Sequence, residues 1–149
     1  MKRINFKEYA DVIAHVEKLK SAPYKKTGKW NLSQVCRHLS YYHRGSLEGF
    51  EKMLPWIIRK TIGTFLKKQY LAEKPLSRGG QTLPASVFEP DEDDSRTADQ
   101  FIALLKRLEN HQGPLHPSGL FGELSNKEWK FLHLKHAAHH LSFLQINEE

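Results

Sequence analysis

Hydrophobic positions recur with helical spacing in four separate stretches of this chain. The stretches begin near Phe6, Leu32, Phe101 and Trp129, and Pro55 interrupts the second one. Apolar residues three and four positions apart fall on one face of an α-helix, and that face packs on a core. No stretch alternates apolar and polar residues for long enough to predict a sheet. The pattern therefore predicts an all-α fold.

Each stretch has the pattern of a capping box near its start. In a capping box, the first side chain accepts a hydrogen bond from a free N–H of the first helical turn. A Glu or Gln three positions later reaches back to the N–H of the capping residue. Four pairs have this spacing: Asn5 with Glu8, Asn31 with Gln34, Thr97 with Gln100, and Ser125 with Glu128. The pairs predict where four helices begin.

Residues 55–71 predict an additional helix between the second and third stretches. One side of it carries Ile58, Ile62, Phe65 and Leu66, and Arg59, Lys60, Lys67 and Lys68 flank that side. Such a helix can pack on the core with its lysine side chains reaching out to water, or it can lie on a membrane surface. Packing on the core is the favoured interpretation.

Residues 72–96 predict a long connection that is rich in Pro, Gly and Ser. A connection of this length is usually a functional lid or a disordered segment, and the sequence leaves both open. It ends in an acidic cluster: Glu89, Asp91, Glu92, Asp93 and Asp94.

The bulk properties narrow the class of protein. The 149 residues suit one domain over residues 1–149. The net charge of +6 is basic, but no nucleic-acid-binding motif accompanies it. Cys36 is the single cysteine, which excludes an internal disulfide and fits a reducing compartment. No apolar run approaches the roughly 20 residues of a membrane span, and no signal-peptide core follows Met1. We therefore expect a cytoplasmic protein.

Four of the nine histidines lie close together at positions 133, 136, 139 and 140. On an ideal helix, His136 and His140 share one face, His133 lies near the same line, and His139 is offset by about 60°. That face also carries apolar residues, so several imidazoles must share a buried surface. A divalent metal satisfies neutral ring nitrogens there without burying like charges. Ala137 replaces the glutamate of a zincin protease, which excludes that class.

His38 is the best candidate by pattern for a third ligand. It lies at the edge of the apolar face of the second stretch, whereas His43 is more than about 100° round that helix. A lone histidine in such a position is more often a hydrogen-bonded core residue. The pattern alone leaves metal binding and core packing as open alternatives.

Three passages carry a resemblance to a known superfamily. They are residues 28–39, with a Trp before a helix; residues 116–125, with a His-Pro and Phe-Gly turn; and Glu128-Trp129 followed by residues 136–141. The chain resembles the DinB-like metal-binding bundles, in particular a branch known as a domain of unknown function. The resemblance implies an up-and-down four-helix bundle with an extra helix and a long loop between the second and third core helices.

The resemblance also implies a site and an activity. By position, the metal ligands are His38, His136 and His140, and His139 matches a motif histidine that is not a ligand. Zinc, nickel and iron suit three imidazoles about equally. Three ligands leave positions open for water or thiol, which implies a hydrolase or a small-thiol transferase acting on a small molecule.

One departure from the superfamily puts thiol transfer in doubt. Leu141-Ser142-Phe143 stands where thiol-transferase members often have Arg-Gly-Gln. The candidate substrate-pocket residues are Tyr42, His116 and His139. The alternative is a non-catalytic metal-binding or vestigial scaffold that binds a partner through its basic helix or acidic loop. A homodimer is one option for the oligomeric state.

Overall fold

A computed structural model describes residues 3–78, 82–90 and 94–147 of the chain. The helices are α1 (Tyr9–Ser21), α2 (Leu32–Glu48), α3 (Trp56–Ile58), α4 (Thr64–Leu71), α5 (Ser95–Glu109) and α6 (Asn126–Leu141). A π-helix, Arg59–Gly63, joins α3 to α4, and a short 3-10 helix spans Pro84–Ser86. Two strands, β1 (Tyr24–Lys26) and β2 (Leu144–Ile146), complete the described elements.

The four longest helices surround one hydrophobic core. Helices α1 and α2 each pack against both α5 and α6. Their fully buried side chains include Leu39, Phe101, Leu105 and Leu141. The predicted all-α class is confirmed, because helices dominate the described residues. None of the helices in the described ranges is both long and apolar enough to cross a membrane.

Two of the predicted capping boxes are confirmed in full. Gln34 donates its backbone N–H to the Asn31 side chain at 2.8 Å, and the Gln34 side chain accepts from the Asn31 backbone at 3.0 Å. Ser125 and Glu128 make the same reciprocal pair at the start of α6. These two capping boxes lie at the starts of α2, which carries His38, and α6, which carries His136 and His140.

The other two predicted capping boxes are wrong by a few residues. Helix α1 uses Glu8 and Asp11 rather than Asn5 and Glu8. Helix α5 starts earlier than predicted, because the Asp94 side chain accepts the N–H of Arg96 at 2.8 Å. In both cases a carboxylate caps the first turn, where the helix dipole favours negative charge.

The expectation that the chain has no sheet is wrong. Strands β1 and β2 pair antiparallel, with Tyr24 opposite Ile146 and Lys26 opposite Leu144. Three residues per strand are too few for an alternating pattern to stand out in the sequence. The pairing fastens the segment after α6 to the connection between α1 and α2.

Helix α2 ends before the point that its hydrophobic pattern predicts. It stops at Glu48, and Gly49 adopts a left-handed φ of 97°. The chain then reverses, so that the Phe50 ring covers Gly45, where a Cβ atom would lie only 2.2 Å from that ring. Phe50 therefore packs on α2 from outside the helix.

The helix predicted over residues 55–71 is confirmed, but its predicted packing is wrong for two of the four apolar residues, since only Ile58 and Leu66 are partly buried. Within residues 56–71, all of which the structure describes, Gly63 is the one buried residue. Ile62 and Phe65, expected on the core, are exposed. The π-helix shifts the register of the apolar positions, and Gly63 makes the close contact instead. Its backbone lies so near the Leu120 carbonyl that a Cβ would approach that oxygen to 2.2 Å.

The long connection is partly described, and the described residues that contact α2 lie in its second half, at Ser86, Phe88 and Asp94. Of the acidic cluster, Asp91, Glu92 and Asp93 fall outside the described residues. The Gln34 side chain donates to the Phe88 carbonyl at 3.0 Å. The Ser33 hydroxyl accepts the Asp94 N–H at 2.8 Å. Two polar residues of α2 thus hold the described residues on either side of that gap.

We expect Gly63→Ala to destabilise the protein by about 1–3 kcal/mol, because the added methyl group meets a backbone carbonyl that cannot rotate away. This range is the net loss, after the gain in helix propensity of about 1 kcal/mol that alanine has over glycine. Urea unfolding measures it, with exposed Lys68→Ala as the matched control in the next helix. An unfolding free energy equal to that of the wild type would contradict the close packing of Gly63 on Leu120.

Candidate metal centre

Three histidines from two helices bring their ring nitrogens to one point. His38 comes from α2, and His136 and His140 come from α6. The His136 Nε2 atom lies 3.0 Å from the Nε2 of His38 and 3.0 Å from the Nε2 of His140. All three ligand atoms lie within 4.8 Å of one another. The three residues are close enough to hold one metal ion.

The packing of α2 on α6 explains why these residues meet. Residues four apart on a helix lie one turn apart on the same face, so His136 and His140 point the same way. That face of α6 packs on α2, where His38 is buried. His136 and His140 stay partly exposed, so the cluster lies at the edge of the core.

A backbone carbonyl fixes the orientation of the His38 ring. The His38 Nδ1 atom lies 2.8 Å from the Ser86 carbonyl oxygen. A carbonyl only accepts hydrogen bonds, so Nδ1 carries the proton and Nε2 presents its lone pair to the other two histidines. Histidines that bind a metal through one nitrogen commonly donate from the other nitrogen in this way. Ser86 belongs to the short 3-10 helix and is fully buried.

Burial keeps the three imidazoles neutral. It is the main cause that lowers the pKa of His38 below its ordinary value, and the Ser86 carbonyl offsets part of that effect. Burial, followed by the neighbouring histidines, lowers the pKa of His136 well below 6.5 and that of His140 to about 2. Neutral imidazole is the form that coordinates a metal. The donor set therefore fits a divalent ion of the zinc, nickel or iron type.

Two aromatic rings enclose the three histidines. The Trp30 ring stacks on His140 with centroids 5.4 Å apart and lies 4.9 Å from the His38 ring. The Tyr42 ring lies 5.0 Å from His136, and its hydroxyl is 3.2 Å from the Ser86 hydroxyl. Burial raises the pKa of Tyr42, so this hydroxyl keeps its proton.

Sequence reasoning named Tyr42 but missed two neighbours of the site. Trp30 stood out only as a residue next to a helix cap. Ser86 carried no signal at all, because its part of the chain read as an irregular connection. Only the folding of residues 84–88 onto α2 reveals that its carbonyl faces His38.

The structure separates the two remaining pocket candidates. The His139 ring lies 4.9 Å from the His140 ring, so it flanks the cluster without joining it. His116 is exposed and lies elsewhere, since its backbone N–H donates to the Ser46 carbonyl at 2.8 Å. Ser46 is eight residues beyond His38, or about 12 Å along α2. The structure thus does not bring His116 to the three histidines.

A second pair of histidines lies in the core, apart from the cluster. His43 and His133 stack with centroids 4.1 Å apart. His133 was predicted to lie near the line of His136 and His140, but its Nδ1 atom is 3.0 Å from the Tyr9 hydroxyl. The His43 Nδ1 donates to the Leu39 carbonyl at 2.6 Å. Burial lowers the pKa of both rings, that of His43 to about 4.

Comparison with known proteins identifies a family but no activity. The family model described as "Protein of unknown function (DUF1569)" matches residues 1–147. No curated protein and no solved structure matches the chain significantly. The matched range includes all three clustered histidines, so the site lies within the extent of the family model rather than in an appended segment.

The buried His43 predicts a loss of stability in acid. Its pKa is about 4 when folded and about 6.5 when unfolded, so only the unfolded chain takes up this proton as pH falls below 6.5. His43→Phe should therefore remove about 2 kcal/mol of the stability difference between pH 7 and pH 5. Urea unfolding of metal-free protein at both values measures this, with His111→Phe as the control. Equal pH dependence in wild type and His43→Phe would refute it.

Proposed function

We propose that this chain, which belongs to the DUF1569 family, is a metal-dependent enzyme that holds one divalent ion through His38, His136 and His140. The observation that carries the proposal is the convergence of three Nε2 atoms on one point. The His38 nitrogen has no proton to give, and His136 can give one proton to only one neighbour. A cation satisfies all three lone pairs at once.

The spacing of the three nitrogens supports the same proposal. Two metal–nitrogen bonds of 2.0–2.1 Å place their nitrogens about 3.0–3.4 Å apart, depending on the angle between the bonds. The two closest separations here are both 3.0 Å. An ion could therefore enter with small movements of the rings. The spacing does not select among zinc, nickel and iron.

The number of ligands favours catalysis over a purely structural role. Structural zinc sites are usually closed by four protein ligands, whereas catalytic sites use three and keep a position open. When bound, such an ion activates water or a thiol as a nucleophile. His136 and His140 are partly exposed, and the proposal takes this exposed edge as the route by which a small molecule reaches the site. Tyr42 and His139 flank that route and are the proposed pocket residues.

Hydrolysis is the reaction that the surroundings of the site favour. In the positions where thiol transferases often have Arg-Gly-Gln, Leu141 is fully buried and the Phe143 ring contacts the His139 ring. Ser142 donates its hydroxyl to the His139 carbonyl. These three side chains pack the end of α6 instead of presenting polar groups to a thiol. Small-thiol transfer is retained as the second reaction class, on the resemblance alone.

We further propose that the fold is a DinB-like, up-and-down four-helix bundle forming a single domain. Helices α1, α2, α5 and α6 pack around one core, and the residue 56–71 helix and the long connection lie between α2 and α5. This order agrees with the arrangement that the sequence resemblance implies. The bundle then supplies a rigid frame for ligands on α2 and α6.

The metal proposal predicts about one divalent ion per chain. Stripped protein should bind zinc, nickel or iron(II), and His→Ala at position 38, 136 or 140 should weaken binding by roughly a hundredfold or more, since even the loss of a residue that only orients a ligand costs 10–100-fold. Isothermal titration measures the affinity. His111→Ala and His43→Ala provide controls outside the cluster and should keep wild-type affinity. If the triple alanine variant binds all three metals as tightly as the wild type, the site does not exist.

The enzyme proposal and the scaffold alternative differ in whether the bound ion accepts an outside ligand. Cobalt(II)-loaded protein should change its visible spectrum when azide or a small thiol is added, because three protein ligands leave a position open. Tyr42→Phe should retain the metal while altering the affinity for the added ligand. A spectrum that ignores both additives would favour a closed, non-catalytic centre that serves as a scaffold.

A further inference from the structure

Large apolar side chains project into solvent from one stretch of the chain. Trp56, Ile57, Ile62 and Phe65 are 63%, 58%, 57% and 62% exposed. Met53 and Leu54 continue the exposed set at its N-terminal side. We call these six residues the apolar ridge. Large exposed apolar side chains grouped this closely along the chain favour an interaction surface over the scattered apolar residues of an ordinary surface.

The fold holds the apolar ridge outward. Gly63 faces the protein, against the Leu120 carbonyl. The Lys67 ammonium group lies 3.2 Å from the Glu128 carboxylate on α6. The Leu54 N–H donates to the Gly119 carbonyl at 2.9 Å. Turning the ridge toward the core would break all of these contacts, so its exposure is a property of the packing.

Positive charge predominates along the ridge, although exposed Glu51 and Glu73 lie just outside it at either end. Residues 52–72 contain no Asp or Glu, and their cations are Lys52, Arg59, Lys60, Lys67 and Lys68. Arg59 and Lys67 bind protein groups, namely the Leu54 carbonyl and Glu128. Lys52, Lys60 and Lys68 are exposed. The Lys60 ammonium lies 5.4 Å from the Trp56 ring centroid, so cation and aromatic ring share one surface.

We propose that the apolar ridge docks this protein on the surface of an anionic lipid bilayer. The ridge would place its apolar side chains at the headgroup and acyl boundary, with Trp56 in the interfacial layer that tryptophan favours. Lys52, Lys60 and Lys68 would meet anionic headgroups. The helix would lie in the plane of the membrane surface, and nothing would span the bilayer.

The charge pattern argues against two other partners for this surface, a second copy of the chain and a nucleic acid. A two-fold contact with a second copy brings two patches of the same positive charge together, and residues 52–72 supply no acidic side chain to offset it. Nucleic acid would satisfy the lysines but leave Ile57, Ile62 and Phe65 in water. An anionic bilayer accommodates both kinds of side chain. The inference uses no residue of the metal centre and does not depend on the proposed function.

Vesicle sedimentation tests the proposal with the whole 149-residue chain. The wild-type protein should bind vesicles that contain both phosphatidylcholine and phosphatidylserine. This binding should weaken at high salt, and binding to vesicles of phosphatidylcholine alone should be weak. Ile57→Ser/Phe65→Ser should reduce partitioning at least about tenfold. Lys60→Gln/Lys68→Gln should reduce it about 25-fold, at roughly fivefold per lysine. The matched controls are Leu83→Ser/Val87→Ser and Lys18→Gln/Lys106→Gln, which should bind as wild type does.

Two further measurements check that each variant is folded and that Trp56 contacts the lipid. Each variant should retain wild-type helical ellipticity, and brominated lipid should quench wild-type tryptophan emission more than that of Trp56→Phe. The proposal is overturned if wild type ignores anionic vesicles, or if both ridge variants bind as their controls do. It is also overturned if light scattering shows a wild-type dimer that Ile57→Ser/Phe65→Ser dissociates, because a second copy then covers the ridge.

Discussion

Three imidazole nitrogens meet at the edge of the contact between α2 and α6. Desolvation lowers the pKa of His38, His136 and His140, so protonation is unfavourable where they lie. The His38 Nε2 atom then presents a lone pair, and one proton on the His136 Nε2 can fully satisfy only one of its two neighbours, so the arrangement is unfavourable without a cation. A bound metal ion would accept all three lone pairs and would thereby link α2 to α6.

The long connection between α4 and α5 is positioned by contacts close to the three histidines. Ser86 supplies a carbonyl to His38 and a hydroxyl to Tyr42. Gln34, one turn before His38, holds the Phe88 carbonyl. A stretch with few apolar anchors therefore packs through polar contacts to the helix that carries a candidate ligand. The metal site and the course of this connection are coupled through α2.

The sequence predicts the parts of the structure that local chemistry determines. The capping side chains of Asn31 and Ser125 act within one helical turn, and the spacing of His136 and His140 places them on one face whatever surrounds them. His38 needed the resemblance as well, because joining α2 to α6 depends on packing between helices that are far apart in sequence.

The features that the sequence did not predict depend on contacts between distant segments. The role of Ser86 arises only when the connection folds onto α2. The exposure of Ile62 and Phe65 follows from the π-helix and from Gly63 against Leu120, neither of which periodicity reveals. The contact of His133 with Tyr9, rather than with the three clustered histidines, depends on the packing of α1 against α6.

X-ray absorption at the metal edge of the zinc-loaded protein tests the central claim most directly. The claim predicts three imidazole ligands at about 2.0–2.1 Å, together with at least one oxygen from solvent. The His38→Ala variant, if it retains zinc, should lose one imidazole from that count. A spectrum with only oxygen ligands, or one unchanged by His38→Ala, would contradict a metal centre built from α2 and α6.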